Sequence, residues 1–294
     1  MRENTASRTA SWVATSRSLG ALLPPDQHIA VDPYGASFAG GGAEWAVRAL
    51  SKVPGLGRRL LNASGPLLWS ALYMQVRTRM LDDVLRGFAR RGGRQVVLLG
   101  AGYDCRAVRF GGEMGNVSFF EVDHPSTQAH KRAVLARLGV GGARVAYLPW
   151  DFESRPLAAL PDALAAEGHV RAAPTLTIWE GVTMYLTEPA VEATMAAVRA
   201  FSSPASTLGM SYFTRDLIAH PTRRAWAVGR MAARAGEPFR FGWSPAELPA
   251  WLAARGFRVE WDREIGEAGR DLLPPRAAAR IPVEGRRCIE ATAV

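Results

Sequence analysis

One stretch, Gln95–Phe110 (QVVLLGAGYDCRAVRF), constrains what this chain can fold into more than any other. Val96-Val97-Leu98-Leu99 is an unbroken apolar run with no polar alternation, the pattern of a strand covered on both faces. Gly100-Ala101-Gly102 follows at once, then Asp104, which suits a helix N-cap, and a segment able to be helical. A strand, a glycine turn and a helix start in that order can cradle a nucleotide-like ligand. The glycines admit close backbone approach, and the helix start leaves N–H groups free.

Val117–Asp123 (VSFFEVD) reads as a second strand ending in acid. Asp123 lies about 20 residues beyond the glycines, the spacing at which a carboxylate can take ribose hydroxyls. A dinucleotide fingerprint would place a third glycine where Cys105 stands. The pair of features therefore favours S-adenosylmethionine over NAD.

At 294 residues the chain suits one α/β domain with additions or two small domains. No apolar run approaches the roughly 20 residues of a membrane span. The Arg-dotted N-terminus lacks the apolar block of a signal peptide. Cys105 and Cys288 form no disulfide framework, so a reduced, cytoplasmic setting is expected. Net charge is +9 and the estimated pI 10.3. Of 36 basic residues two are lysines, Lys52 and Lys131, leaving 34 arginines spread along the whole chain. That is foremost a compositional bias; a basic funnel for an anionic small molecule comes second and nucleic acid third.

Residues 1–75 precede the first core strand. Ser7–Leu22 and Ala43–Leu50 are helix candidates, Val53–Gly57 and Asn62–Pro66 breaks, and Leu67–Arg91 one long amphipathic helix with Leu68, Leu72, Val76, Met80, Val84 and Phe88 on its apolar side. From Arg94 onward short apolar strands alternate with helices, implying βαβ units and a parallel sheet. Helices are expected at Ser126–Leu138 and Glu188–Phe201. Later strands are expected at Arg144–Leu148, Thr175–Trp179, Thr207–Phe213, Phe257–Trp261 and Cys288–Ala293, with a helical insertion at Arg215–Glu237 and a surface turn at Pro274-Pro275. The division this suggests is a helical cap over 1–75 and a cofactor domain over 76–294 carrying a lid at 214–243.

Asp151 and Phe152 follow the third strand, where a carboxylate can accept from an adenine amino group and an aromatic ring can pack on the base; a plain helix cap is the alternative. Glu180 ends the fourth strand and points to the cleft, either toward a cationic amino group or into a pair with an arginine. Arg77 is a candidate partner for a methionine carboxylate, or a solvated helix charge. The five histidines show no metal-ligand spacing, and no metal is expected. Tyr185 and His220 are the candidates for a catalytic role, neither compelling. Trp12, Trp45, Trp226 and Trp243 fall in the cap and insertion and hint at an aromatic pocket.

With these residues assembled, the chain resembles the leucine carboxyl methyltransferase family, and within it a bacterial branch containing O-methyltransferases of polyketide biosynthesis. TASWVATSRSLG and VDPYGASF resemble that branch's opening motifs, and YMQVRTRMLDDVL, LLGAGYDCRAVRF, FFEVDHPSTQAHKRAVL and WEGVTMYL its cofactor motifs. The resemblance implies a class I methyltransferase fold: Rossmann-like, seven strands, mostly parallel with the last antiparallel, a helical cap and a helical insertion after strand five. It implies that Arg77 meets the cofactor carboxylate, that Gly100, Ala101 and Gly102 lend backbone, that Asp123 takes the ribose, Asp151 and Phe152 the adenine, and Glu180 the amino group. Two positions depart from the pattern: Cys105 replaces a threonine and Phe152 a leucine.

The expected activity is S-adenosylmethionine-dependent O-methylation of a small molecule of secondary metabolism, acidic and aromatic, with a carboxyl methyl ester as product and a phenolic or hydroxyl ether as the alternative. A carboxylate is already ionised near neutral pH and needs only positioning, whereas a hydroxyl needs a base that the sequence does not offer. Nucleic acid is not expected as a partner, since no Asn/Asp-Pro-Pro-aromatic motif of base methylation follows strand four, and no membrane partner is expected; a cofactor-bound protein that methylates nothing is the rival class. The acceptor's identity and the oligomeric state are not encoded in any motif.

Overall fold

The computed structural model describes residues 7–141, 144–152 and 154–294. The chain begins with α1 (Arg8–Ser18), α2 (Gly41–Ser51), α3 (Pro54–Ala63) and α4 (Gly65–Arg90). Then strands and helices alternate: β1 (Gln95–Leu99), α5 (Arg106–Arg109), β2 (Ser118–Asp123), α6 (Pro125–Arg137), β3 (Arg144–Pro149), α7 (Leu160–Ala166), β4 (Thr175–Trp179), α8 (Glu188–Phe201) and β5 (Thr207–Phe213). The insertion carries α9 (Arg215–Ala219) and α10 (Arg223–Arg234), and the chain closes with α11 (Leu248–Ala253), β6 (Phe257–Glu264), α12 (Ile265–Leu272), α13 (Pro275–Ala278) and β7 (Arg286–Ala293).

The strands form one seven-stranded sheet in the order β3-β2-β1-β4-β5-β7-β6, with β7 antiparallel to both neighbours and the other pairings parallel. This is the seven-stranded arrangement expected from the sequence. Every residue of β1, β4 and β5 is buried, as both-face coverage demands of an unbroken apolar run. Alternation along β1 sends Val96 and Leu98 into the core under α4, and Val97 and Leu99 into the opposite core with Val191, Met195 and Val198 of α8. The chain steps outward from β1 to β3 and then returns to β4. The carboxyl ends of β1 and β4 therefore flank the switch point where open α/β sheets bind ligands.

The apolar row of α4 (Leu68, Leu72, Val76, Met80, Val84 and Phe88) is buried throughout, each side chain contributing about 1.5–3 kcal/mol of burial energy. The helix runs unbroken across residues 75 and 76, so cap and sheet domain share one element. Local differences from the sequence reading have simple causes. The break at Val53–Gly57 narrows to Lys52 and Val53 between α2 and α3, because Pro54 takes the first position of α3, where its fixed φ and missing N–H cost nothing. The break at Asn62–Pro66 shrinks to Ser64, and Pro275 opens α13 in the same way. β6 runs on to Glu264 past a bulge at Val259/Trp261, and β7 starts at Arg286. The insertion is pinched at its base by a bridge between Thr214 and Trp243.

Candidate active site

Gly100 and Gly102 take φ of +62° and +50°, a region costly for other residues. A side chain on Gly100 would place its Cβ 2.5 Å from Val182 Cγ2, so the turn is tied to the segment after β4. The turn opens onto a cavity of about 560 Å³. Asp123, at the end of β2, lies on its wall and accepts from the Gly102 N–H at 2.5 Å and its neighbour His124's N–H at 2.6 Å. Burial raises its pKa, and the two N–H donors oppose that. The segment after Asp104 is helical as expected, but only for four residues and with Cys105 at the N-cap position; Asp104 accepts from the Arg106 N–H and pairs with its guanidinium.

Arg77 and Glu180 both reach the cavity wall but bind each other: Arg77 Nε meets Glu180 Oε1 at 2.7 Å. Of the readings open for each, the solvated helix charge is excluded for Arg77, which is 4% exposed, and the buried acid–arginine pair holds for Glu180. Arg106 takes the other oxygen, Oε2, at 2.6 Å and also binds Asp82, which Arg109 holds in turn. Three arginines thus neutralise three carboxylates behind the cavity, as burial requires. For Glu180 burial acts to raise the pKa, but Arg106 and Arg77 outweigh it and the net shift is downward. For Arg77 burial acts to lower it, and Glu180 and Tyr73 reverse the sign. Glu180 therefore stays an anion and Arg77 a cation.

Asp151 accepts from Ser154 Oγ at 2.8 Å, and its carbonyl accepts from the Arg155 N–H. Phe152 packs at the edge of the core beside it, and both line the cavity. Tyr185 also lines it, with its hydroxyl pKa driven up by burial and then by Glu237. His220 is a correction. Its side chain, just past the end of α9, is 80% exposed, pairs with Asp216 in that helix's first turn and is absent from the cavity wall. The tryptophans do not form the pocket either. Trp45 and Trp226 are exposed, and Trp243 is buried among Tyr212, Phe241 and Trp251.

Four cavity residues were not singled out in the sequence: Tyr103, inside the glycine motif, and Arg17, Glu237 and Arg240, which distant segments bring in. Arg17 of α1 is buried, donates to the Tyr103 carbonyl and pairs with Asp32 at 3.1 Å. Tyr103 stacks on Phe38, and burial pushes its hydroxyl up to about 12. Glu237 accepts from Ser7 Oγ at 3.1 Å, across 230 residues, and both line the cavity. Arg240 holds the Met184 carbonyl through its backbone N–H at 2.7 Å, while its guanidinium has no ion pair or hydrogen bond among the described residues. The wall carries three arginines and five carboxylates, so a chain of net charge +9 encloses an acidic cavity. That is the reverse of a basic funnel, and it suits a cationic ligand. Among the described residues no group of histidine, cysteine or carboxylate side chains is arranged to hold a metal.

A seven-stranded sheet of this order, with a glycine turn and a strand-end acid at its switch point, defines a class I S-adenosylmethionine-dependent methyltransferase. Residues 10–199 match the model of the leucine carboxyl methyltransferase family, and the chain belongs to that family. A relative from Streptomyces avermitilis, named as an S-adenosyl-L-methionine-dependent methyltransferase, is 34% identical over 84% of this chain and 79% of its own. One from Streptomyces coelicolor with the same description is 33% identical over 78% and 75%. The crystal structure of a DUF574 family protein from Streptomyces avermitilis superposes with a TM-score of 0.60 at 16% identity, covering 95% of this chain and 97% of that one, which speaks for the fold alone.

The site fits the cofactor. A Cβ-free turn leaves backbone exposed where the ligand must pass, a buried carboxylate stands at the end of β2, and the acidic wall complements a sulfonium.

Proposed function

We propose that this methyltransferase esterifies a carboxylate of a small, aromatic, polyketide-like acid of secondary metabolism. The observation that carries the reading is Arg240: a cavity-lining guanidinium left unpaired among the described residues, while Arg17 and Arg77 are each engaged by a buried acid. A carboxylate acceptor would dock there, beside the Tyr185 ring. The placements support the earlier residue roles: Asp123 for the ribose hydroxyls, Gly100, Ala101 and Gly102 for backbone contact, Asp151 and Phe152 for the adenine. Arg77 and Glu180 act as a locked pair whose outward faces meet the carboxylate and amino group. Residues 1–75 serve as the cap and 214–243 as the lid.

The bound cofactor supplies an electrophilic methyl on a sulfonium. The rest of the work is positioning: the acceptor oxygen must be held in line with that methyl and kept dry. The Ser7–Glu237 hydrogen bond ties the start of the cap to the lid across the cavity lining, a contact suited to keeping the acceptor site dry. An ionised carboxylate needs no proton removed; His220 lies outside the cavity, and His124, which does line it, is engaged through Nδ1 by Ser126. Mild base treatment of the purified product checks the ester. Release of methanol and return of the acid is the expected outcome; a base-stable product would mean hydroxyl methylation, with Glu237, a cavity carboxyl whose pKa burial raises, as the first candidate for the base.

A further inference from the structure

The cap has a second face, turned away from the cavity. Of the ten large apolar side chains that are strongly exposed among the described residues, five fall between positions 45 and 67: Trp45 at 73%, Val53 at 53%, Leu56 at 48%, Leu60 at 51% and Leu67 at 47%. In α3 the buried positions are Gly57 and Leu61, which rest the helix on the residues beneath. Leu56 and Leu60, one turn apart, share an outer face. Single exposed leucines need no explanation, but five within 23 consecutive residues do. The charge around them is one-sided. Arg48, Lys52, Arg58 and Arg59 are exposed in the same segment, no acid occurs between Trp45 and Leu81, and Glu44 just before it is buried against Ser37, Arg48 and Arg137.

We infer that the outer face of α2, α3 and the start of α4 docks on an anionic lipid surface. Large apolar side chains flanked by arginine and lysine, with acids excluded, make up the composition of a helix that lies in a membrane interface rather than across it. The absence among the described residues of a helix able to span a bilayer leaves such peripheral contact open. A second copy fits the face poorly, because self-pairing would set the four cations against themselves. The docked layer packs directly on the segment that follows α1, the helix lining the cavity, so the membrane would lie one layer of helix from the acceptor site.

Sedimentation with vesicles of phosphatidylglycerol and phosphatidylcholine, against vesicles of phosphatidylcholine alone, tests this on the full chain. Binding is expected to the anionic vesicles, weakened by salt. It should fall about tenfold or more in Trp45→Ser/Leu56→Ser/Leu60→Ser and again in Arg58→Glu/Arg59→Glu, as lost apolar and basic anchors dictate. Cofactor affinity by calorimetry should stay unchanged in both variants, which separates a failure of docking from a failure of the fold or of the methyltransferase site. No binding to anionic vesicles, or binding that neither variant weakens, would overturn the inference. So would a dimer in solution that the apolar variant dissolves, which would assign the face to a second copy, or an acidic protein partner displaced by both variants in the absence of lipid binding.

Discussion

The two walls of the cavity are built on different physics. The inner wall, at the carboxyl ends of β1, β2 and β4, is fixed by buried charge. Arg77, Arg106 and Arg109 interlock with Asp82, Asp104 and Glu180, and Arg17 with Asp32, on a floor of fully buried strands. The outer wall, Gly236–Arg240, is loop. It is tied by backbone bonds to Met184 and by Glu237 to Ser7, and it leaves Arg240 exposed. The inner wall is costly to alter because each of its ions would be stranded by the loss of a partner. The outer wall can change at little cost, so a fold serving many acceptors can keep the first and vary the second.

The contrast breaks first at its strongest joint. Arg106→Gln would leave Asp82, Asp104 and Glu180 short of a cation, and a loss of about 3–5 kcal/mol of stability is expected in chemical denaturation. A change under about 1 kcal/mol would mean the inner wall is not held by its charges. Gly100→Ala should come next, because it meets positive φ and Val182 Cγ2 at once. A cost of about 1–3 kcal/mol is expected, read as lower cofactor affinity in calorimetry and a lower melting temperature. Gly100→Ala/Val182→Ala should recover part of the loss, and no recovery would assign the whole effect to backbone strain.

Asp123→Ala should weaken S-adenosylmethionine binding by about 1–3 kcal/mol while the fold survives; unchanged affinity would remove Asp123 from the ribose site. The smallest effect belongs to the outer wall. Arg240→Gln should raise the acceptor KM several-fold, on the order of 1 kcal/mol for an exposed charge, with cofactor affinity unaltered. An equal loss of cofactor affinity would erase the distinction between the two walls.

Much of the inner wall could be read in advance, since its parts are local patterns. Val96–Leu99 with Gly100-Ala101-Gly102 is contiguous, Asp123 closes the next strand, and Glu180 closes the fourth. Pairing is less legible. For Glu180 the sequence leaves a ligand and an arginine both open, and only the fold names Arg77, 103 residues away, as its partner. His220 looked available because it lies in the insertion, yet its exposure depends on which side of α9 faces the domain. Glu237 and Arg240 carry no local signature, and Arg17 sits in the opening motif without a sign of its partner Asp32.

The sequence by itself determined the sheet, its connections and the ligand turn, because hydrophobic period, glycine freedom and strand-end acids act over a few residues. The tertiary structure alone decided how charge is distributed: a chain with an excess of arginine encloses an acidic cavity, while Leu56, Leu60 and Leu67 stand exposed on the cap. The physical reason is range. Burying an ion demands a partner within a few ångströms, and which residues come that close is settled by packing between segments as far apart as the 103 positions that separate Arg77 from Glu180.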